Sequence, residues 1–309
     1  MNWKIKAAVQ NACAALPAFQ EQAYFKVLKA FGDLHNKPDP MEMLGAAAEL
    51  AEMIQKAGTN VEGARVFEVG TGRRVDMPLG FFLAGAASVT TCDLHRYMKP
   101  ELVMSSFSRM KAGREEIRAL FAPITNPGEL DRRLDMFCSI SGFDELLAKT
   151  NIKYHAPADA AATGLPAGSI DIHTSYTVFE HIPAPVLSAI LVEAGRLLSP
   201  QGVALHHIDL SDHFSQADGI TKINFLQYSE AEWEKYAGNQ FAYHNRLRPS
   251  HYREVYAAGK QNVQQWLPSV DPVSMKALQN GFPINPEFRQ YPPEELCTTV
   301  LQVVSHPQR

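Results

Sequence analysis

A short apolar run that ends in two closely spaced glycines constrains this chain more than any other feature. Residues 66–69 are apolar and partly β-branched except for Glu68, which is typical of a buried strand. Gly70 and Gly72 then let the backbone turn and approach a ligand, because glycine lacks a Cβ and tolerates a positive φ. A helix is predicted over 78–86 and a second strand over 87–92, and Asp93 ends that strand about 20 residues beyond the turn. This is the layout of a nucleotide-binding βαβ unit, whose acid accepts hydrogen bonds from a ribose.

The turn suits a positively charged ligand better than a dinucleotide. A dinucleotide fingerprint needs a third glycine or alanine for close packing of helix on strand, and Val75 stands at that place. The turn also lacks the lysine of a phosphate-binding P-loop. Glu68, two residues before Gly70, is poorly suited to a pyrophosphate and well suited to a cation. Arg73 and Arg74 must then turn outward or pair with acids.

The run from Glu68 to Gly72 has the form Glu-x-Gly-x-Gly. It resembles motif I of class I (Rossmann-like) methyltransferases that use S-adenosylmethionine (SAM), and in particular the type 11-like members. Asp93 resembles the acid with which these enzymes bind the ribose. SAM carries a sulfonium and an ammonium group, which agrees with an acid at Glu68.

Three later segments resemble further motifs of this family and occur in the family's order. Asp159 and Ala160 precede a Leu-Pro-x-Gly-Ser turn, and the family's acid at this place holds the adenine amino group. In 175–182, the sequence Val-Phe-Glu-His-Ile resembles the segment that lies against the methyl-transfer site. In 197–205, a Ser-Pro-Gln-Gly turn enters the fifth strand, although Gln201 replaces the more usual glycine.

The resemblance implies an α/β fold with a seven-stranded, doubly wound sheet, mostly parallel with its last strand antiparallel. Apolar runs predict the last two strands at 262–267 and 298–304. N-terminal helices and a helical insertion after the second strand are also expected, since a long structureless loop is uncommon inside a domain. This insertion is either a lid over the ligand or a peripheral addition. We predict a single methyltransferase domain over 1–309, with an N-terminal helical cap at 1–57, the helical insertion at 98–150 and another insertion, after the fifth strand, at 211–250.

The resemblance implies SAM as the cofactor. Its expected binding residues are Glu68, Gly70, Thr71, Gly72, Asp93, Asp159, Ala160 and Ser175. His181 is expected near the cofactor or the methyl acceptor. Alternatively, His181 only caps the helix that begins at Pro183.

A run rich in histidine and acid, 206–213, ends the fifth strand. Because side chains alternate along a strand, His207 and Asp209 share one face and His206 lies on the other. The resemblance places the acceptor at this end of the strand. His207 is therefore a candidate general base, with Asp209 as the acid that orients it. A polar strand end that only hydrogen-bonds to loops is the alternative.

A divalent metal is a competing interpretation of the same run. The candidate ligands are His207, Asp209, Asp212 and His213. Metal-dependent O-methyltransferases usually also supply acids from the end of the fourth strand. In this chain no acid precedes Glu180 there, so we predict no metal.

Residues 222–253 are rich in aromatic and polar side chains. Aromatic walls with a few converging polar groups suit a small-molecule pocket, in which Arg246 or Arg248 would hold a carboxylate or phosphate. The alternative is that the aromatic residues pack a loop-rich lobe. Basic residues are not concentrated here, which disfavours stacking on a nucleic acid.

Composition narrows the range of partners. The 309 residues are 46% hydrophobic and 20% charged, as in ordinary globular proteins, and the net charge is −4. This charge gives no electrostatic case for nucleic acid or an anionic membrane. The start of the chain lacks a secretory pattern, no apolar run is long enough to cross a membrane, and the four cysteines lack pairing or metal spacing. We expect a cytoplasmic protein with a small-molecule partner.

The sequence therefore predicts a SAM-dependent methyltransferase that acts on a small molecule, at a hydroxyl oxygen. One alternative is an N- or C-methyltransferase, which has the same cofactor site but a different need to remove a proton from the acceptor. Another is a fold relative that binds SAM or its product S-adenosylhomocysteine (SAH) without turnover. A nicotinamide-dependent oxidoreductase is disfavoured by Val75.

Overall fold

The computed structural model describes residues 2–16, 20–31, 39–215 and 220–308. Parts of the predicted cap at 1–57 and of the predicted insertion at 211–250 lie outside the described residues, namely 1, 17–19, 32–38 and 216–219. Within the described ranges, no helix is both long enough and apolar enough to cross a membrane.

Seven strands of the described chain form one sheet. They are β1 (Arg65–Val69), β2 (Ser88–Cys92), β3 (Ile152–His155), β4 (Ile170–Tyr176), β5 (Leu198–Asp209), β6 (Gln261–Val270) and β7 (Thr298–Pro307), in the spatial order β3-β2-β1-β4-β5-β7-β6. Strands β1 to β5 pair in parallel, whereas β7 is antiparallel to both β5 and β6. This order and the single reversed strand confirm the predicted fold class. β1 lies between β2 and β4, where the strand order changes direction and open α/β sheets bind ligands.

Successive side chains of each strand point to opposite faces of the sheet. Because both faces carry apolar side chains, helices cover both of them. The helices of the described ranges are α1 (Trp3–Ala14), α2 (Gln20–Phe31), α3 (Pro40–Lys56), α4 (Asp76–Leu83), α5 (Pro100–Ala112), α6 (Arg114–Phe121), α7 (Pro127–Ser139), α8 (Phe143–Lys149), α9 (Ala184–Leu197), α10 (Glu230–Ala237), α11 (Pro249–Ala258), α12 (Pro272–Gln279) and α13 (Pro293–Leu296), with 3-10 turns at Phe179–His181, Asn224–Gln227 and Pro286–Phe288. Val66 and Leu205 belong to a core shared with α3 to α8. Phe67 and Ala204 belong to a second core shared with α9 and α11.

The predicted helical insertion between the second and third strands is confirmed as α5 to α8. Buried Phe107, Phe121 and Phe137 place these helices in the same core as α3 and α4. Gly113 separates α5 from α6. The insertion therefore thickens one face of the sheet with a second layer of helices.

A third buried cluster, which we call the aromatic core, joins the N-terminal helix to the segment after β5. The ring of Trp3 lies 5.4 Å from that of Phe214, 6.1 Å from that of Trp233 and 4.8 Å from that of Tyr236, measured between centroids. Leu296, from the segment before β7, is buried in the same cluster. α1 and the described part of the segment after β5 therefore share one hydrophobic core.

Candidate functional site

The glycine turn after β1 is fixed against the end of β2. Gly70 and Gly72 have φ angles of 85° and 70°. The Gly70 N–H donates to the Cys92 carbonyl oxygen at 2.8 Å, and the Gly72 N–H donates to the Asp93 carboxylate at 3.1 Å. A Cβ at Gly70 would overlap the Val178 side chain, whereas one at Gly72 would meet no atom within 4 Å. The turn is thus pressed against the segment after β4 and leaves open space at Gly72.

Asp93 is held by donors from two sides. Its side chain is 6% exposed, and the Tyr154 hydroxyl on β3 donates to it at 3.0 Å, besides the Gly72 N–H. Burial raises the pKa of Asp93 to about 6, against the opposite effect of these two hydrogen bonds. A carboxylate offers about four lone-pair sites, so it retains capacity for ribose hydroxyls. Sequence reasoning did not find Tyr154, because it lies on a strand that was not predicted.

Glu68 is a buried acid directly before the turn. It is 2% exposed, and the Thr91 hydroxyl donates to its carboxyl group at 2.5 Å. The Thr71 hydroxyl in turn contacts the Thr91 hydroxyl. Burial raises the pKa of Glu68 to about 8, with the Thr91 hydrogen bond opposing and the charge of Asp93 adding to the shift. A cation placed beside Glu68 would favour its ionised form.

Asp159 and Ala160 lie next to these residues across the end of β3. The N–H of Ala158 donates to the main-chain carbonyl oxygen of Asp93 at 2.9 Å, and the Asp159 carboxylate accepts from the N–H of Ala161 at 2.8 Å. A neighbouring cavity is open to solvent and has about 330 Å³ of non-atom space, part of which is that solvent. Its walls are largely apolar and are formed by Phe67, Thr90, Cys92, His155, Ala158, Asp159, Thr163 and Leu165.

Ser175 and His206 lie in the interior between β4 and β5. Both are fully buried, and the Ser175 hydroxyl oxygen lies 2.9 Å from His206 Nδ1. The His206 ring stacks on Phe179 at 4.2 Å between centroids. His207 lies on the opposite face beside Tyr176, as the strand alternation predicts. Because its hydroxyl is bonded in the core, Ser175 would contact a cofactor through its main chain.

His207 and Asp209 have different partners. The Gln302 amide nitrogen donates to the Glu49 carboxylate at 2.8 Å and lies 3.2 Å from His207 Nδ1. An amide nitrogen only donates, so Nδ1 accepts and neutral His207 carries its proton on Nε2. Asp209 instead lies 3.6 Å from His213 Nε2. The predicted pair of His207 as base and Asp209 as orienting acid is therefore not formed in this structure.

Four other side chains meet beyond the ends of β4 and β5. We call Glu180, His181, His213 and His244 the histidine cluster. Glu180, His181 and His213 each offer a possible metal-ligand atom, and these atoms lie within 4.8 Å of one another. The His213 ring lies 4.8 Å from the His181 ring and stacks on the His244 ring at 4.7 Å between centroids. Sequence reasoning named His181 and His213, but it assigned no role to Glu180 and did not single out His244 as a functional candidate.

The histidine cluster combines a buried acid with neutral imidazoles. Burial raises the pKa of Glu180 well above its ordinary value, and burial lowers the pKa of His213 to about 4. The Nδ1 atom of His181 lies 2.8 Å from the Tyr243 carbonyl oxygen. Since a carbonyl oxygen only accepts, Nδ1 of His181 carries the proton and Nε2 carries a lone pair. His181 therefore has the free imidazole lone pair that His207 lacks.

Asp212 lies apart from the other candidate metal ligands. Its carboxylate accepts from the Phe214 N–H at 2.7 Å and from the Asn224 amide at 2.8 Å, and it is fully buried. Of the ligands considered from the sequence, Asp209 and His213 are neighbours, and Asp212 holds the start of the following loop.

Arg246 and Arg248 make their contacts within the protein. Arg248 is fully buried and donates to the Leu210 carbonyl oxygen at 2.8 Å. Arg246 donates to the Tyr228 carbonyl oxygen at 2.6 Å and pairs with Glu230 at 2.5 Å. Their guanidinium groups thus stabilise the segment after β5, in place of the predicted role in holding an anionic acceptor.

The two arginines of the glycine turn have separate surroundings. Arg74 pairs with Asp76 at 2.8 Å, which is one of the two arrangements expected from the sequence. Arg73 lines a small cavity together with Glu21 and Tyr24 of α2. The N-terminal helices therefore reach the turn.

No protein-family model and no curated protein matches this chain. Among solved structures, geranyl diphosphate methyltransferase in complex with SAM is 11% identical with a TM-score of 0.44, over 96% of this chain and 94% of that one. Magnesium protoporphyrin IX methyltransferase from Synechocystis PCC 6803 with bound SAH is 11% identical with a TM-score of 0.45, over 86% and 83%. The [4+2]-cyclase SpnF is 13% identical with a TM-score of 0.45, over 84% and 81%. These ligands and reactions are properties of the named proteins and are not assigned to this chain.

Proposed function

We propose that this protein is a SAM-dependent methyltransferase that methylates a small molecule at a hydroxyl oxygen. The observation that carries the proposal is the placement of two buried carboxyl groups, Glu68 and Asp93, on either side of an open glycine turn. One acid suits a cation and the other suits a ribose. A ligand that joins a ribose to a sulfonium and an ammonium group meets both requirements.

The residues around the turn fit such a cofactor. Asp93 keeps lone pairs for the ribose hydroxyls beside its Gly72 and Tyr154 donors. Asp159, at the wall of the apolar cavity beside β3, offers an acceptor for the amino group of an adenine. Glu68 supplies negative charge for the methionine end. When bound, SAM would supply an electrophilic methyl group.

The acceptor would lie at the histidine cluster. Gly70 presses against Val178, which directly precedes the Phe179–His181 turn, so this cluster adjoins the cofactor side. Attack requires the acceptor oxygen to be aligned with the methyl group and to lose its proton. His181 is the group suited to draw off that proton, because its Nε2 lone pair is free.

Calorimetric titration with SAM and SAH tests the cofactor assignment, with NADH as the control ligand. We expect micromolar binding to the wild type and a loss of about 100-fold or more in Asp93→Ala, since hydrogen bonds to a charged group contribute roughly 1.5–3 kcal/mol each. Absence of binding of both adenosyl ligands, or binding of NADH instead, would refute the proposal.

Transfer of the methyl group from labelled SAM to small molecules of a cell extract tests the activity. We expect His181→Gln to lower turnover by roughly 10²–10⁴-fold while SAM affinity stays unchanged, the range for a lost acid–base group. A product methylated at nitrogen or carbon would replace the hydroxyl assignment. Tight SAM binding without any methylated product would favour the non-catalytic alternative.

We also propose a cytoplasmic location. All four cysteines are free, with Cys13, Cys92 and Cys297 buried and Cys138 exposed. Unpaired thiols are typical of a reducing compartment. Burial raises the pKa of Cys92 to about 12, so this thiol next to Asp93 is unreactive.

A further inference from the structure

Glu180 is a buried acid without a side-chain partner. It is 1% exposed, and neither carboxyl oxygen has a hydrogen-bond partner among the described residues, although the N–H groups of Glu180 and Asp209 lie near. A buried polar group left without a partner is costly. In the same part of the described chain, His213 Nε2 and His244 Nε2 are also buried without a hydrogen-bond partner, although Asp209 lies 3.6 Å from His213 Nε2. An acid and imidazole nitrogens that all lack hydrogen-bond partners in one place point to a missing ligand.

His181 and His244 are oriented in the way that metal ligands require. His181 Nδ1 lies 2.8 Å from the Tyr243 carbonyl oxygen, and His244 Nδ1 lies 3.1 Å from the Ala242 carbonyl oxygen. Both rings therefore carry the proton on Nδ1 and a lone pair on Nε2. A ring N–H that donates to a main-chain carbonyl is the usual support of a metal-binding histidine, because it fixes both the tautomer and the ring.

We propose that Glu180, His181 and His213 bind one divalent first-row transition-metal ion. Two imidazoles and one carboxylate favour zinc, iron(II) or manganese over magnesium or calcium, which prefer oxygen ligands alone. The candidate atoms lie within 4.8 Å of one another. Two ligand atoms in tetrahedral coordination, each about 2.1 Å from the ion, lie about 3.4 Å apart, so closure needs side-chain movement of up to roughly 1.4 Å. Asp209, 3.6 Å from His213 Nε2, adds a second negative charge beside the site.

Three protein ligands leave coordination positions open. An ion held in this way binds a substrate oxygen and lowers the pKa of its hydroxyl group. This role rests on the methyl transfer proposed above, whereas the binding of the ion does not. The ion would replace a free His181 as the agent that prepares the acceptor oxygen.

Titration of chelator-treated protein with Co²⁺, followed by visible absorption, tests the site. We expect one ion per chain at micromolar affinity and absorption bands that reflect nitrogen and carboxylate ligands. Glu180→Gln keeps the size of the side chain and removes its charge, and it should weaken Co²⁺ binding by at least roughly 100-fold. Zn²⁺ should displace Co²⁺ and raise the Tm of the wild type more than that of Glu180→Gln.

Two further variants keep the test decisive. His213→Gln alters a half-buried ligand and should also lose Co²⁺ binding, even if Glu180→Gln fails to fold. His306→Gln is the matched control, because His306 lies on β7 and bonds to Gly202 and Gln264. It should bind Co²⁺ as the wild type does.

The outcomes separate the two proposals. A wild type that binds less than one Co²⁺ at micromolar concentration, or a Glu180→Gln protein that binds it as well as the wild type, would overturn the metal site. Calorimetry with SAM on the same metal-free protein shows whether the cofactor assignment fails with it. If SAM binds but the metal does not, the cofactor assignment stands and the metal site is refuted. If the metal binds but SAM does not, the metal site stands and the cofactor assignment is refuted.

Discussion

At the scale of single residues, the proton on Glu68 links the fold to the proposed ligand. The ordinary pKa of a glutamate is 4.5, and burial raises that of Glu68 to about 8. Between these two values the folded chain keeps a proton that the unfolded chain releases. Glu68 therefore stabilises the ligand-free protein most at low pH, and this contribution is lost as the pH rises through the window. A cation bound beside Glu68 would favour the ionised carboxylate over the protonated carboxyl group.

The substitution Glu68→Gln isolates this effect. The amide retains the size of the side chain but does not titrate. Between about pH 5 and pH 8, we expect the free energy of unfolding of the wild type to fall more steeply than that of Glu68→Gln, by up to about 1.4 kcal/mol per pH unit. Urea unfolding at several pH values measures both slopes. Saturating SAM should flatten the wild-type curve, whereas parallel curves for the two ligand-free proteins would contradict the assigned protonation.

At the scale of elements, α7 closes the end of α4 through one side chain. The Arg133 guanidinium donates to the carbonyl oxygens of Phe82, Gly85 and Ala86 and lies over the Phe82 ring at 4.4 Å. Phe82 lies in the last turn of α4, and Gly85 and Ala86 follow it, where helical partners are lacking. A buried positive charge at this end also complements the helix dipole. The insertion after β2 is therefore fixed to the sheet layer by polar bonds as well as by apolar contacts.

Replacing Arg133 should loosen this attachment. Arg133→Met removes the guanidinium from three buried carbonyl oxygens, of which those of Phe82 and Gly85 keep main-chain donors and that of Ala86 loses its donor. We expect a loss of about 2–4 kcal/mol in the free energy of unfolding, measured in urea. Arg132→Met is the control, because Arg132 pairs with the same Glu129 at the surface. It should cost less than about 1 kcal/mol. Equal losses in the two variants would show that apolar contacts alone hold the insertion.

Most elements could be predicted from local patterns, and the exceptions have physical causes. The helix expected over 78–86 is Asp76–Leu83, because Gly85, with φ at 112°, stops it as a helix terminator. β3 was not predicted, because its four residues include the polar Lys153 and His155 at the edge of the sheet. An edge strand of this length lacks the apolar pattern of a buried strand.

The candidate site was predictable only where it is local in sequence. The glycine turn and Asp93 follow directly from short runs, and the structure joins them through the Gly72 hydrogen bond. The histidine cluster joins residues 180–181 to two residues of the segment after β5, His213 and His244. Such a contact depends on how an irregular segment folds back, which residue spacing does not encode. The same holds for Gln302, whose amide on β7 sets the tautomer of His207.

At the scale of the whole molecule, the aromatic core connects the N-terminus to the histidine cluster. Trp3 packs against Trp233, and Trp233 and Phe225 both contact the His244 ring, at 5.5 and 5.6 Å between centroids. His244 in turn stacks on His213. The N-terminal helix therefore supports the histidine cluster indirectly, because Trp3 acts on it through Trp233 rather than by direct contact.

Truncating Trp3 should release this support while the sheet stays intact. In Trp3→Ala we expect faster amide hydrogen exchange in α1 and in 223–242, since a buried tryptophan truncation costs about 3–5 kcal/mol locally. Exchange in β1 and β4 should not change. Ile5→Ala, at an exposed position of the same helix, is the control. Faster exchange throughout the sheet of Trp3→Ala would show that the aromatic core and the sheet open as one cooperative unit.

The close contact between Gly70 and Val178 makes the two halves of the site mutually dependent. No space separates the glycine turn from the segment that leads into Glu180 and His181. A displacement of either segment is therefore passed to the other. Thermodynamic linkage is reciprocal. If a ligand at the turn changes the affinity of the histidine cluster for a second ligand by some factor, the second ligand changes the affinity of the turn for the first by the same factor. The affinity of each half of the site for its ligand would then depend, through this one glycine contact, on whether the other half is occupied.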